Sequence, residues 1–344
     1  MHSGLRRIAS VALLMGAVAV PSYGWGSGGH MTVAFVAYEN LTPQVRDRVD
    51  ALIKLNPKYQ DWMALIPPEA SAAARNEMLF MIAATWPDQI RSDGQHKPDG
   101  TAGGERPPDD GTAGQNIGYA DMALHKYWHF IDEPFSQDGT ALQNPPDTNA
   151  ETQIAVFRAA LASDKPDELK SYDLVWLLHL TGDVHQPLHC TSRFGHDQPN
   201  GDSGGNKVSV CDTSNAKPGA KAKGGKAVAT AKGKGGKAKA CKGNLHSFWD
   251  DLFGTSPDPA VAMKIGKDLP AAPADPAGDL DTTHWVKESF DDAAIWVYKN
   301  PPIGLGAGPF QVTPAYRKAA LSLAKERVAL AGSRLANVLN KELK

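Results

Sequence analysis

The segment LLHLTGDVHQPLH, residues 177–189, sets His179 and Asp183 four positions apart and follows them with His185 and His189, in a stretch otherwise apolar enough for a buried helix. Positions i and i+4 of a helix lie on one face, one turn apart, so His179 and Asp183 can reach a single metal ion together. Pro187 then turns the chain, which lets His189 approach a second ion from another side. One His-x-x-x-Asp pair is weak evidence, because such pairs also make ordinary structural hydrogen bonds. The spacing returns, however, in NLHSFWDDLF, where His246 and Asp250 sit among aromatic residues that exclude water.

Other segments add the same residue types. TWPDQIR carries Asp88 and Arg91, KYWHFID carries His129, Phe130 and Asp132, and WGSGGH runs from Trp25 to His30. Nitrogen and carboxylate ligands without thiolates suit zinc in sites that keep a position open for water, the pattern of catalytic rather than structural zinc. Counting Trp25, nine candidate ligands are too many for one tetrahedral ion, so several ions are expected. A core histidine satisfied by a backbone carbonyl is the ordinary reading of any single member. It does not account for the whole set.

Helices must position these groups. Apolar residues recur three and four apart over Met31 to Leu41, Pro43 to Leu55, Ala72 to Trp86, Asn149 to Leu161, Asp173 to Asp183, His284 to Lys299 and Pro314 to Asn340. Strand signals are few, there is no internal repeat, and segments rich in glycine and proline, Ser92 to Gly118, Phe135 to Asp147 and Ser192 to Gly205, read as long loops. The expected architecture is a mainly α single-domain helical bundle with irregular surface segments.

The chain of 344 residues, 42% hydrophobic with eight tryptophans, is long enough to bury a sizeable core. Residues 1–24 read as a cleaved secretory leader: Arg6 and Arg7, an apolar run from Ile8 to Val20, then small Ser22 and Gly24. No segment approaches the roughly 20 apolar residues of a membrane span, so a secreted or periplasmic protein beginning at Trp25 is expected. Trp25 is then either a new N-terminus whose free amino group matters or merely a helix lead-in. Three cysteines exclude a disulfide-built scaffold. Cys211 and Cys241 are the favoured pair and leave Cys190 free, with the other pairings open.

Between those two cysteines lies a tract of lysine, alanine and glycine that reads as a disordered insertion, at about residues 212–242. It holds nine lysines against one aspartate, a local charge of +8. Without Arg6 and Arg7 the formal charge moves from -2 to -4, so the rest of the chain carries -12. The tract is either a solvated spacer or a loop that gathers polyanions by screened attraction.

The ordered series WGSGGH, WPDQIR, HFID, HLTGDVHQPLH, GGNKV and NLHSFWD, with AGSRLANVLN near the end, resembles the single-strand-specific trinuclear zinc nucleases of the mung bean nuclease type. The resemblance covers Trp25 to the terminal helix, and the lysine tract between GGNKV and NLHSFWD is its main departure. It implies the helical fold of the zinc phospholipase C and nuclease superfamily and three Zn2+ per chain. By that similarity Asp88, His129, His179 and Asp183 hold one zinc. Asp183 bridges to a second, held by the Trp25 amino and carbonyl groups and His30, and His189, His246 and Asp250 hold the third. His185 is left to packing or to a hydrogen bond behind a ligand, and His125, His196 and His284 have no part.

The chemistry implied is hydrolysis of single-stranded DNA and RNA to 5′-phosphorylated products, with 3′-mononucleotides as further substrates. Water held between two metals attacks phosphorus, Asp88 orients it, and Arg91 meets the charge on the phosphoryl oxygens. Phe130 stacks on a base, Asp132 meets base edges, and Asn206 of GGNKV contacts the substrate. A monomer is expected. The nearest alternative is a zinc phospholipase C, disfavoured because His30 follows Trp25 by only five residues and the last ligand is Asp250 rather than glutamate. A non-catalytic exported zinc-binding protein would leave Arg91 beside Asp88 without a use.

Overall fold

Local signals fix where many helices begin. Thr42, Ser71, Asn149, Asn244 and Thr313 each accept a backbone N–H bond at the start of the helix that follows, and Pro43, Pro87, Pro259 and Pro314 occupy first-turn positions. The structure is a computed structural model that describes residues 24–100, 106–212, 241 and 243–343. Residues 1–23, within the expected leader, residues 101–105, residues 213–240 of the lysine tract, Lys242 and Lys344 fall outside the described residues.

The helices run α1 (Ser27–Glu39), α2 (Pro43–Ile53), α3 (Tyr59–Met63), α4 (Ala72–Ala83), α5 (Trp86–Gln89) and α6 (Ala150–Leu161). They continue with α7 (Asp167–Asp183), α8 (Leu245–Asp250), α9 (Pro259–Lys267), α10 (Ala274–Gly278), α11 (Thr282–Asp291) and α12 (Pro314–Glu342). The fold is mainly α, as the apolar spacing predicts.

Two helices are central. α1 is buried along most of its length, and α7 is buried on every face from Lys170 to Asp183. A helix apolar all round is stable only when neighbours cover each side. Helices α12, α9 and α4 cover α1, while α6, α2 and α12 cover α7. Gly332 of α12 makes the first crossing possible, since a Cβ there would lie 2.5 Å from Val36 Cβ. Around α7, Trp176 makes edge-on contacts with Trp86 and Trp128 and stacks with Phe157. Burying about 150–250 Å² per such ring, at about 25 cal/mol per Å², contributes roughly 4–6 kcal/mol each before entropy is charged.

Short strands tie the loops to this core. β1 (Pro134–Ser136) pairs in parallel with β2 (Ser192–Phe194), in the register Pro134↔Ser192, and Ile131 N–H donates to the His189 carbonyl just before them at 2.8 Å. β3 (Ser209–Cys211) lies between antiparallel β4 (Gly243–Asn244) and parallel β5 (Phe310–Gln311). Cys211 and Cys241 form a disulfide and Cys190 is free and buried, as the sequence favours. Among the described residues no helix is long and apolar enough to cross a membrane.

Several boundaries differ from the sequence reading, those of α1, α7 and α11 among them. α1 starts at Ser27 rather than Met31, which places His30 on its first turn; the glycines fit because the chain here is packed against the Phe253 and Gly254 carbonyls, where any larger residue would collide. α7 starts at Asp167, because Asp167 and Glu168 favour a helix N-terminus although they break the apolar pattern. The span read as one helix to Lys299 ends at Asp291 and continues as a π turn over Asp292–Val297. Periodicity alone missed α3, α8, α9 and α10, which are short.

Candidate metal centre

The last turn of α7 carries His179 and Asp183, and the first turn of α1 carries His30. Gly182 lets the two helices meet, since a Cβ there would stand 2.9 Å from His30 Nδ1. α5 adds Asp88, a 3-10 turn over Lys126–His129 adds His129, another over Pro187–Cys190 adds His189, and α8 adds His246 and Asp250. All are buried except Asp88, which is one-fifth exposed.

The ligand atoms converge in three overlapping groups: His30, Asp88 and His179; His129, His179 and Asp183; and His189, His246 and Asp250. Asp183 faces two ways. Its Oδ2 lies 3.1 Å from His129 Nδ1 and 3.3 Å from His179 Nε2, while its Oδ1 lies 3.4 Å from His30 Nε2 and 3.8 Å from His189 Nδ1. The His30 and His179 rings stack at 3.8 Å. In the third group His246 Nε2 is 3.6 Å from Asp250 Oδ2 and His189 Nε2 is 3.8 Å from Asp250 Oδ1. Trp25 is fully buried, and a Cβ built on the preceding Gly24 would strike Asp183 Oδ1 and stand 2.7 Å from His30 Nε2. The Gly24–Trp25 link therefore lies against the donor atoms.

Backbone carbonyls set the tautomers. Nδ1–H of His179 donates to Ala84, that of His189 to His129 and that of His246 to Gly204, each at 2.8 Å, so each Nε2 keeps a lone pair for the centre. Gln186 Nε2 donates to Asp250 Oδ1 at 2.8 Å and fixes that carboxylate. Arg91 Nη2 pairs with Asp88 Oδ1 at 3.0 Å.

Burial drives the imidazoles toward neutrality: His30 and His129 fall well below the ordinary value, His179 to about 3 and His189 to about 4. Burial also pushes the carboxyls up, Asp183 well above its usual range and Asp250 to about 8. Neutral imidazoles are ready ligands, and buried carboxylates without cations are costly. Both nitrogens of His30, and one polar atom each of His129, Asp183, His189, His246 and Asp250, have no hydrogen-bond partner. Orphaned nitrogen and oxygen donors aimed at common points fit divalent metal ions of the zinc type.

A cavity of about 500 Å³ opens from His189 and His246, and Phe130, Asp132 and Asn206 all line it. Burial, reinforced by Asp202, raises the Asp132 carboxyl to about 7. Asp88 and Arg91 do not line this cavity.

A protein-family model described as S1/P1 nuclease matches residues 25–344. The chain belongs to the S1/P1 nuclease family. Membership makes it a nuclease, an enzyme that hydrolyses phosphodiesters of nucleic acids. The match begins at Trp25. Comparison with curated proteins gives no match.

As to the remaining residues of this family member, His185 is packed as expected: Nδ1–H donates to the Thr181 carbonyl and Nε2 accepts from Arg334 Nη1 at 3.0 Å. His196 and His284 make pairs with Asp138 and Asp279 near the surface. Gln186 stands in HLTGDVHQPLH between Asp183 and His189, but its bond to Asp250 spans 64 residues and no local pattern indicates it. Arg106, Lys126 and Lys207 also line the cavity; Lys126 and Lys207 lie within the KYWHFID and GGNKV segments, whereas no local signal marks Arg106.

Proposed function

We propose that the chain is an exported zinc-dependent endonuclease that cleaves single-stranded DNA and RNA to 5′-phosphorylated products and also removes 3′-phosphate from mononucleotides. The observation that carries this reading is the convergence of three His and Asp groups, buried but for Asp88, with orphaned donor atoms, in a chain matched to S1/P1 nucleases over residues 25–344. Asp88, His129, His179 and Asp183 would hold one zinc, Trp25, His30 and Asp183 a second, and His189, His246 and Asp250 a third. When bound, such ions supply Lewis acidity toward phosphate oxygens and water that deprotonates near neutral pH.

The protein's own groups do the rest. Asp88 orients the attacking water, and Arg91, paired with it at 3.0 Å, presents a permanent charge to the phosphoryl oxygens as negative charge builds there. Phe130 gives an apolar ring face for a base, and Asp132 and Asn206 meet polar edges across the same cavity. A base must leave its stack to enter, which favours single strands. Removal of a leader after Gly24 supplies the amine at Trp25, and the position of that link beside His30 and Asp183 supports this order of events.

Metal content of the protein beginning at Trp25, measured with DNA hydrolysis before and after chelation, tests the reading. About three zincs per chain and activity lost to chelator and restored by zinc are expected. Hydrolysis of phosphatidylcholine in place of DNA would instead indicate the lipase chemistry, and zinc without hydrolysis would indicate a binding protein.

A further inference from the structure

The cavity beside His189 and His246 does not end at the base-sized space around Phe130. A second cavity of about 520 Å³ continues from it, and Arg106, Pro107, Pro146 and Thr148 line both. Each volume falls in the range of about 300–1,000 Å³ that holds one small ligand. The cleft is therefore long enough for more than the single nucleotide at the metals.

Its charge is uneven: three cations and the Asp132 carboxylate line the first cavity, whereas Asp109 and Asp147 line the second beside Arg106. Arg106, Lys126 and Lys207 all line the first cavity, and both Arg106 and Lys207 act on Asp132 by attraction through space. Arg106 is exposed at the junction, with proline on both walls. Proline carries no N–H and makes a stiff apolar wall that favours no particular base edge. The remaining contact that every nucleotide offers is its phosphate, and a planar guanidinium matches two phosphate oxygens at once.

The loop that brings Arg106 here is tied at its base. Lys97 N–H donates to the Met122 carbonyl at 2.8 Å and Leu124 N–H to the Lys97 carbonyl at 3.0 Å. Between the two arms His125 stands 2.7 Å from Asp99 through Nδ1 and 2.7 Å from Asp121 through Nε2, with its ring stacked on Trp128 at 3.6 Å. These contacts hold the chain on either side of the segment that contains Arg106.

We propose that Arg106 binds the phosphate of a nucleotide flanking the one at the metal centre, so that the cleft selects polynucleotides over mononucleotides. The inference rests on the nuclease reading above. Its test compares the metal-loaded protein with Arg106→Ala and Arg106→Lys on a 3′-mononucleotide and on a single-stranded decanucleotide. For Arg106→Ala, kcat/KM on the decanucleotide should fall about tenfold, equivalent to about 1.4 kcal/mol. The loss on the mononucleotide should stay below about twofold, and Arg106→Lys should recover part of the difference. Binding of a phosphorothioate decanucleotide, followed by fluorescence anisotropy, should show a slope of log K against log salt flatter by about 0.7, the value for one lost contact to a single strand.

Equal losses on both substrates, or an unchanged salt slope, would overturn the proposal. Should the unaltered protein hydrolyse neither substrate, the nuclease reading fails. The anisotropy then decides the subsite alone: a salt slope that depends on Arg106 upholds it, and no such dependence removes it.

Discussion

His179 Nε2 lies 3.3 Å from Asp183 Oδ2, one helical turn away, and that same oxygen lies 3.1 Å from His129 Nδ1, which belongs to a segment 54 residues earlier. The other oxygen of Asp183 faces His30. One carboxylate thus stands between two sets of imidazoles. We expect Asp183→Asn to remove at least one zinc per chain and to lower activity by about 100-fold or more, since even residues behind a ligand are worth about 10–100-fold. Metal analysis showing the full complement in the variant would sink the shared-ligand role.

Beyond backbone hydrogen bonds with Asp183 and His189, Gln186 donates its side-chain amide to Asp250 Oδ1 at 2.8 Å and fixes that carboxylate. Gln186→Ala should weaken zinc binding at the third group by roughly 10–100-fold while the other two stay loaded. Competition with a chelator of known affinity measures this, and uniform weakening of all metals would point to a general folding defect.

Phe130→Ala should raise the KM for single-stranded DNA about 5- to 150-fold, the equivalent of about 1–3 kcal/mol of stacking per base, with zinc content intact. An unchanged KM rejects the stacking role.

His125 gives a prediction with a definite sign in pH. Burial disfavours its charge, but the Asp121 and Asp99 carboxylates outweigh burial and raise its pKa above the ordinary 6.5. A histidine whose folded pKa is raised contributes stability fully present below 6.5 and lost as pH rises through the elevated value. The difference in Tm between the unaltered protein and His125→Gln should therefore be largest in mildly acidic solution and shrink on the alkaline side. A difference that grows with pH would contradict the charged clasp.

For the lysine tract, deletion of residues 214–240 should weaken nucleic-acid binding chiefly at low salt if the tract gathers substrate. Equal weakening at every salt concentration would assign it to folding instead.

The sequence by itself determined the helical class and the local pairs. His179 with Asp183 and His246 with Asp250 were legible because a helix places i and i+4 together whatever surrounds it. The ordered motifs carried the family, and the cysteines flanking the tract marked the disulfide. Contacts between distant segments were decided only by packing. No spacing says that His30 stacks on His179, that Gln186 reaches Asp250, or that Ala84, His129 and Gly204 offer the carbonyls that fix three tautomers. These depend on how buried helices cross and where glycines allow approach. The same holds for Arg106: in the sequence it is one arginine in a glycine- and proline-rich loop, and only the fold sets it beside Pro146 and Thr148 on the cleft that begins at His189 and His246.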